Sequence, residues 1–243
     1  MKKIFVLLVA CLCTMGAMAQ ENESENSFIM TRQDVVVDYL MSAQMMGSKV
    51  KPVGYVRLKV TNVSNDAGRH TTVDYDFDLL NMKKKPMSGV RSNIKQQLMV
   101  DNGVITFDND PLMNAGAYKK SHDGFAFKIP ATLNVGDKIE TGTTVERAKF
   151  PMTKEVENVV RYDNFSVVGE EDIAIAGGNY HCYRIEGCLN GSFQTVKLEN
   201  VRYAIWFSPQ VGFVKIETDY YGSTLVLDGV SGVAGSNFQG TGL

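Results

Sequence analysis

The sequence predicts a mainly β protein built as a single, strongly curved antiparallel sheet, a half-barrel or open-barrel meander with few short helices. Along most of the 243 residues, β-rich runs alternate with turns marked by Gly, Pro, Asn or Asp. The sequence shows no long amphipathic helix, no fixed-period repeat and no dividing linker. A chain of this length buries a sizeable core as one large β domain.

The N-terminal residues predict export. Lys2 and Lys3 precede an apolar run, and a small-x-small cleavage motif ends at Ala19. We therefore expect a signal peptide over residues 1–19 and a soluble periplasmic protein, because the apolar run is shorter than the ~20 residues of a membrane span. The alternative is a lipobox-like motif that ends at Cys11, which would make the protein an outer-membrane lipoprotein. No other segment is expected to cross a membrane.

The rest of the chain divides into three parts. Residues 20–30 begin polar and acidic and predict a flexible lead-in. Residues 31–229 are expected to form a single antiparallel β domain, and residues 230–243 a flexible Gly-rich tail. The balance of 25 basic against 27 acidic residues supplies no positive surplus for nucleic acid or an anionic lipid surface, so no nucleic-acid partner is expected.

The first strands carry the clearest pattern. After a strand over Val35–Met41, strict alternation over Tyr55–Val63 and Thr71–Leu79 predicts a hairpin with one apolar and one charged face. Opposite charges across the strands favour an ion ladder over a calcium site. The expected cross-strand pairs are Val60 with Val73, Lys59 with Asp74, and Arg57 with Asp76.

The middle of the chain predicts a second hairpin and an irregular segment. Asn102-Gly103 is a two-residue turn signal between Gln96–Val100 and Val104–Phe107. Asp108–Gly124 has no period, and we interpret it as a long loop or a short helix. Further strands are expected over Phe125–Ile129, Thr143–Phe150 and Val156–Val168.

The C-terminal part predicts two more hairpins. Asn190-Gly191 is expected to turn the strand Tyr180–Leu189 back through Phe193–Leu198. The segments that follow are a strand over Val201–Phe207, a turn over Pro209–Gly212, a strand over Phe213–Tyr220 and a last strand over Ser223–Leu227.

Alternation assigns two faces to the penultimate hairpin. Trp206 is expected in the core, facing Val214. The opposite face carries the candidate ligand-binding residues, and Lys215 and Glu217 fall at its wet outer end. Because soluble proteins avoid large exposed apolar patches, this face needs a cover, which is Asp108–Gly124, a partner or a ligand. The candidate ligand-binding residues are Tyr203, Ile205, Phe207 and Phe213.

Four phrases stand out in order: Leu133–Asp137, Glu171–Ile173, Ala176–Ile185 and Trp206–Lys215. Together they resemble the TapB-like domain-of-unknown-function family of exported bacterial envelope proteins. The resemblance implies a strongly curved antiparallel sheet, similar to the half-barrels of LolA-like lipoprotein carriers, and it implies no catalytic residues. Cys182 stands where that family tends to place a cysteine, whereas Cys188 has no usual counterpart there.

Candidate chemical groups are few. The three histidines, His70, His122 and His181, lack the spacing of a zinc site. Cys182 and Cys188, which remain after signal cleavage, fall on one strand. Six residues of extended chain separate Cα atoms by about 20 Å, too far for a disulfide unless the chain bends at Gly187. We therefore expect no catalytic residues, no metal site, no disulfide and no cofactor.

These observations leave two functions open. In the first, a non-catalytic envelope protein binds a hydrophobic small molecule or lipid on a concave sheet face. In the second, a structural or interaction protein of the envelope has a filled core and binds a protein partner at its surface or open sheet edge. A cavity above ~300 Å³ lined by Tyr203, Ile205 and Phe207 would favour the first. A hydrolase that uses His122 or His181 is the weakest reading.

Overall fold

The computed structural model describes residues 28–44, 48–66, 70–114, 118–150, 152–175 and 178–232. These residues form one antiparallel sheet of fourteen strands that curves into a half-barrel, so the predicted fold class is confirmed. Helical geometry among them is confined to two 3₁₀ turns, Ile29–Thr31 and Tyr220–Gly222. The predicted signal peptide, the alternative lipobox, residues 20–27 and residues 233–243 lie outside the described residues.

The strands follow the chain from one hairpin to the next. They are β1 (Val36–Ala43), β2 (Lys51–Asp66), β3 (His70–Leu80), β4 (Ile94–Asp101), β5 (Val104–Phe107), β6 (Lys119–Gly124), β7 (Phe127–Pro130), β8 (Glu140–Thr141), β9 (Thr143–Lys149), β10 (Glu155–Ile175), β11 (Gly178–Phe193), β12 (Val196–Ser208), β13 (Gly212–Thr218) and β14 (Thr224–Ser231). From edge to edge the sheet order is β6, β9, β10, β11, β12, β13, β14, β1, β2, β3, β4, β5, β7, β8.

Curvature brings one end of the sheet back towards the other. Residues just before β8 bond to β10, the third strand from the opposite edge. Ile139 N–H donates to the carbonyl of Phe165 at 3.0 Å, and Val167 N–H donates to that of Asp137 at 2.8 Å. The sheet thus encloses the side chains on its concave side, here called the inner face.

Strands β2 and β3 form the predicted hairpin with the predicted faces, but the register differs by two residues up to Val60 and, beyond a bulge between Val60 and Asn62, by three. Val60 pairs with Tyr75 rather than Val73. The strands extend to Asp66 and His70, which pair, so the connection is shorter than the turn residues suggest. A shift of two keeps each side chain on its own face, because the side-chain period of a strand is two.

The charged ladder changes partners as a result. Arg57 pairs with Asp38 on β1 at 2.7 Å, and Lys95 on β4 pairs with Asp76 at 2.6 Å. Burial alone would raise the pKa of Asp38, but the hydrogen bonds from Arg57 and Lys84 outweigh it and lower that pKa. These pairs tie β1 to β2 and to the β3–β4 connection, and they tie β3 to β4.

Of the two Asn-Gly signals, one is a turn and the other is not. Asn102-Gly103 has φ angles of 48° and 74° between β4 and β5, the geometry of a tight hairpin. Asn190-Gly191 lies inside β11, and the chain turns at Gln194-Thr195 instead, so the predicted turn is wrong. Gly191 sits at a bulge with a φ of 119°, where a Cβ would come 2.0 Å from the carbonyl oxygen of Val159.

A bulge in the β12–β13 hairpin exchanges the faces that alternation predicts for β13. Phe207 pairs with Phe213, whereas Trp206 pairs with Lys215, and Val214 is the extra residue. The expectation that Lys215 shares a face with Phe213 is therefore wrong, and so is the expectation that Trp206 faces Val214.

Trp206 is buried, but beneath charged side chains on the outer face. Its indole N–H donates to Glu171 at 2.7 Å. The Nζ of Lys215 lies 4.3 Å from its ring centre, and the guanidinium of Arg184 lies 5.6 Å from it. The stems of these long side chains exclude water from the ring.

The packed domain begins before residue 31 and ends after residue 229. Phe28, Ile29 and Met30, assigned to the lead-in by sequence, are buried, and Ile29 N–H donates to the carbonyl of Gln210 at 2.7 Å. At the other end, β14 continues to Ser231. The apolar side chains of residues 28–30 directly follow a polar run in the sequence and pack into the core.

Cys182 and Cys188 both lie on β11 and are free thiols. Cys182 is buried, and burial, followed by the carboxylates of Asp172 and Glu171, raises its pKa to about 12. The thiol therefore stays protonated at neutral pH and is a poor nucleophile.

Candidate functional site

The inner face holds all four predicted ligand-binding residues. Tyr203, Ile205 and Phe207 alternate inward along β12, and Phe213 of β13 pairs with Phe207 on the same side. None of them is more than 2% exposed. The structure brings the predicted residues together as a layer of the core, and their role in ligand binding stays a prediction.

Aromatic rings from strands remote in sequence fill the space over this layer. The ring centres of Phe107 on β5 and Phe213 are 4.5 Å apart. Phe127 on β7 lies 4.7 Å from Tyr162 on β10 and 6.3 Å from Tyr203. Such ring pairs stabilise a core by about 0.5–1.5 kcal/mol each beyond the area they bury.

A cavity of about 20 Å³ lies between these rings and the N-terminal 3₁₀ turn. Its walls include Phe28, Tyr39, Tyr75, Phe107 and Phe213. This is room for about one water molecule, whereas small-molecule sites measure ~300–1,000 Å³. A ligand of lipid size would have to displace side chains to enter the inner face.

The irregular segment after β5 covers the inner face through a buried carboxylate. Asp110 Oδ1 accepts the hydroxyl of Tyr203 at 2.6 Å and the backbone N–H groups of Leu112 and Met113 at 2.8 and 3.2 Å. Burial raises the pKa of Asp110, although these hydrogen bonds lower it. Burial and the neighbouring carboxylate raise the pKa of Tyr203 well above its ordinary value. Asp110 Oδ2 has no hydrogen-bond partner among the described residues.

Periodicity does not predict the contact between Asp110 and Tyr203. Residues 108–114 follow no period, and among the described residues of Asp108–Gly124 the regular structure is confined to β6 at the far end. The available signal is Asp110-Pro111, an Asp-Pro pair that favours a turn. The loop or helix expected for this segment is thus replaced by a covering stretch and an edge strand.

A second buried polar group joins β6 and β9 to the covering segment. Lys119 Nζ donates to Asn109 Oδ1 at 3.0 Å and lies 4.0 Å from Glu146 Oε1. His122 Nδ1 lies 3.6 Å from the same oxygen. Burial lowers the pKa of Lys119, and the charges of Glu146 and Asp108 oppose that change. Paired charges of this kind offset one another's desolvation and fix the geometry of the cover.

The histidines do not form a catalytic base in a cleft. His122 is 3.6 Å from Glu146, beyond the reach of a hydrogen bond. His181 lies 3.1 Å from Asp172, but their side chains are 59% and 63% exposed. His70 lies 3.1 Å from Asp101, also on the surface. The last two are surface ion pairs when the histidine is protonated.

The described ranges contain no group of three or more His, Cys, Asp or Glu side chains arranged to hold a metal ion. The aspartates of β3 are bound elsewhere: Asp74 accepts from Gln97 at 2.9 Å, and Asp78 accepts from the N–H of Asn93 at 2.6 Å. No helix in the described part of the chain is long and apolar enough to cross a membrane.

Comparison with known proteins identifies a family and a fold. The model of the DUF3108-like family matches residues 40–225. A search of curated proteins found no match. The family match bears out the expected domain of unknown function, whereas the TapB-like name and the LolA-like relationship stay predictions.

Two solved structures, each 14% identical, share the fold. One, from Bacteroides fragilis, is assigned as an exported protein with a YmcC-like fold. It has a TM-score of 0.61 and covers 82% of this chain and 96% of its own. The other, from Parabacteroides distasonis, is assigned as a lipoprotein. It has a TM-score of 0.63 and covers 83% of this chain and 96% of its own.

Proposed function

Because this chain belongs to the DUF3108-like family, we propose that it is an exported, non-catalytic protein of the cell envelope that binds its partners through its outer surface. The observation that supports this proposal is that side chains fill the inner face. Tyr203, Ile205, Phe207 and Phe213 contribute to a core that leaves a cavity of only about 20 Å³. A face packed in this way stabilises the fold, and recognition then falls to the outer side chains and to the open edge strand β6.

Signal cleavage after Ala19 and release into the periplasm complete this proposal. The order of charged, apolar and small residues before Ala19 supports cleavage there. The relative from Bacteroides fragilis, assigned as exported, is consistent with it, whereas the relative assigned as a lipoprotein favours acylation at Cys11. N-terminal sequencing of the exported protein separates the two, because acylation blocks the terminus at Cys11.

A second candidate function is the binding of an apolar ligand on the inner face. The observation that favours it is the apolar lining of the small cavity beneath the turn Ile29–Thr31. That turn follows Phe28 and is attached to Gln210 by a backbone hydrogen bond. Because Phe28 and Met30 line the cavity, an outward movement of the turn would widen it. The rings of Phe107 and Phe213 would then form its floor.

A fluorescent fatty-acid analogue distinguishes the two candidates. Iodide quenches a probe at the protein surface but not one enclosed in a core. With a filled inner face, iodide is expected to quench any protein-bound probe nearly as well as the free probe. The Phe28→Ala variant removes a ring from the cavity wall and tests whether the added space admits the probe. Circular dichroism first verifies that both proteins are folded.

Saturable binding of the probe to the wild-type protein, with protection from iodide, would contradict the proposal. Loss of that protected binding in Phe207→Asp would assign it to the inner face. Quenching that stays efficient throughout the titration supports recognition at the outer surface.

A further inference from the structure

A groove of about 420 Å³ lies on the surface beside the edge strand β6. Its walls come from the β3–β4 connection, from the start of β6, and from the end of β9 with the turn that follows. This volume falls within the ~300–1,000 Å³ of small-molecule sites, unlike the cavity of the inner face. Six of its lining residues are Arg91, Tyr118, Lys120, Lys149, Phe150 and Met152.

One part of the groove is lined by cationic side chains. Lys120 pairs with Glu155. Among the described residues, no carboxylate oxygen lies within 4 Å of the charged nitrogens of Arg91 or Lys149. Glu155 also lies directly opposite Lys149 across strands β9 and β10, so three cations at the groove face this one carboxylate and a positive surplus is left, although the whole chain has a net charge of −2. A positive surplus that lines a concavity attracts an anionic ligand.

The other part of the groove is apolar. The rings of Tyr118 and Phe150 lie 4.9 Å apart and are partly buried against the core. Met152 next to them is fully exposed. An exposed apolar side chain beside two aromatic rings provides a surface for the hydrocarbon part of a ligand.

The backbone of Met152 is strained. Its φ is 63°, in the left-handed region that non-glycine residues rarely adopt. The N–H of Thr153 closes the turn on the carbonyl of Phe150 at 3.2 Å, and this bond does not depend on the side chain of Met152. The side chain of Met152 is fully exposed and lines the groove, where a ligand can contact it.

We propose that this groove binds an amphiphilic anion, with a single phosphate or carboxylate head held by the three cations and an apolar chain laid on the two rings and Met152. The combination selects against small inorganic anions, which lack the chain, and against neutral lipids, which lack the head. The inference rests on the proposed function, because it places recognition on the outer surface.

The first test is calorimetric titration of the mature protein with decyl phosphate below its aggregation concentration. Saturable binding is expected, and it should weaken as salt screens the head group. Inorganic phosphate and decyl maltoside, which each carry half of the required chemistry, should bind far more weakly.

Charge variants make the assignment specific. Lys149→Glu is expected to weaken decyl phosphate binding roughly fivefold or more. Glu155→Gln releases Lys120 from its partner and should tighten binding, a gain that misfolding cannot imitate. Lys197→Glu, a matched reversal at an exposed position outside the groove lining, should leave the affinity unchanged.

The outcomes separate the groove from the proposed function. Binding that neither Lys149→Glu nor Glu155→Gln alters would overturn the groove assignment, as would equal affinity for inorganic phosphate. Absence of binding to the wild-type protein would also overturn it, yet would leave the filled inner face intact. The proposed function fails by a different result, in which the fluorescent fatty-acid analogue binds inside the fold and is protected from iodide.

Discussion

Replacement of Phe127 by alanine is expected to lower the free energy of unfolding by about 3–5 kcal/mol, the usual range for removing a large buried aromatic side chain. Phe127 is fully buried on β7, and its ring centre lies 4.7 Å from Tyr162, 5.3 Å from Phe165 and 6.4 Å from Phe213. It links the two ends of the curved sheet across the inner face, so the cavity left behind cannot close by the movement of one neighbour.

Urea denaturation of the mature protein, followed by circular dichroism, measures this loss as a lower midpoint. Met99→Ala is the control, because Met99 is 42% exposed on β4 and its removal should change stability by no more than about 0.5 kcal/mol. A loss below about 1 kcal/mol for Phe127→Ala would mean that the inner face is loosely packed. Such loose packing would leave room for a ligand on the inner face.

Replacement of Asp110 by alanine is expected to cost about 2–4 kcal/mol, since each buried donor left without an acceptor costs about 1–3 kcal/mol. The Tyr203 hydroxyl and the N–H groups of Leu112 and Met113 all lose their acceptor. The covering segment should loosen, and its amides should exchange with solvent faster. An Asp110→Ala protein as stable as wild type would show that this segment does not hold the core closed.

Asp110→Asn is the matched variant, because it retains an acceptor oxygen and removes the ionisable group. Burial raises the pKa of Asp110 in the folded protein above its ordinary 3.8. At pH values between 3.8 and the folded-state pKa, the folded protein therefore binds more protons than the unfolded chain. The contribution of Asp110 to stability should therefore fall as pH rises through that window, whereas carboxyls whose pKa is lowered, such as Asp38 and Glu186, contribute a rise. Stability should therefore increase more steeply with pH in Asp110→Asn than in the wild-type protein. Equal slopes would show that Asp110 ionises normally in the folded state.

Periodicity predicts which face each residue of this protein occupies better than it predicts partners. The β2–β3 hairpin has the expected faces, but as far as Val60 its register differs from the expected one by two residues. The alternating pattern cannot distinguish these two registers, because an even shift leaves every face unchanged. A single bulge at Val214 was enough to move Lys215 to the face of Trp206. Bulges leave no mark on an alternating pattern, so the sequence alone does not reveal them.

The sites themselves depend on parts of the chain that are distant in sequence. Tyr203 was predicted from alternation along its own strand, and it lies where the pattern placed it. Asp110, ninety-three positions earlier, was not predicted, because only the closure of the half-barrel brings the two together. The groove likewise needs Arg91 and Lys149, which share no strand and no motif. Contacts between segments that are distant in sequence cannot be predicted from the residue pattern within one segment.

Methyl-resolved NMR of the mature protein during titration with decyl phosphate tests the central claim, that the inner face is filled and recognition lies outside it. The Met152 methyl signal is expected to shift in a saturable manner, while the methyl signals of Ile105, Ile205 and Ile216, all buried in the core, stay in place. Saturable shifts of the core isoleucines, with Met152 unchanged, would contradict the account and identify the inner face as the binding site.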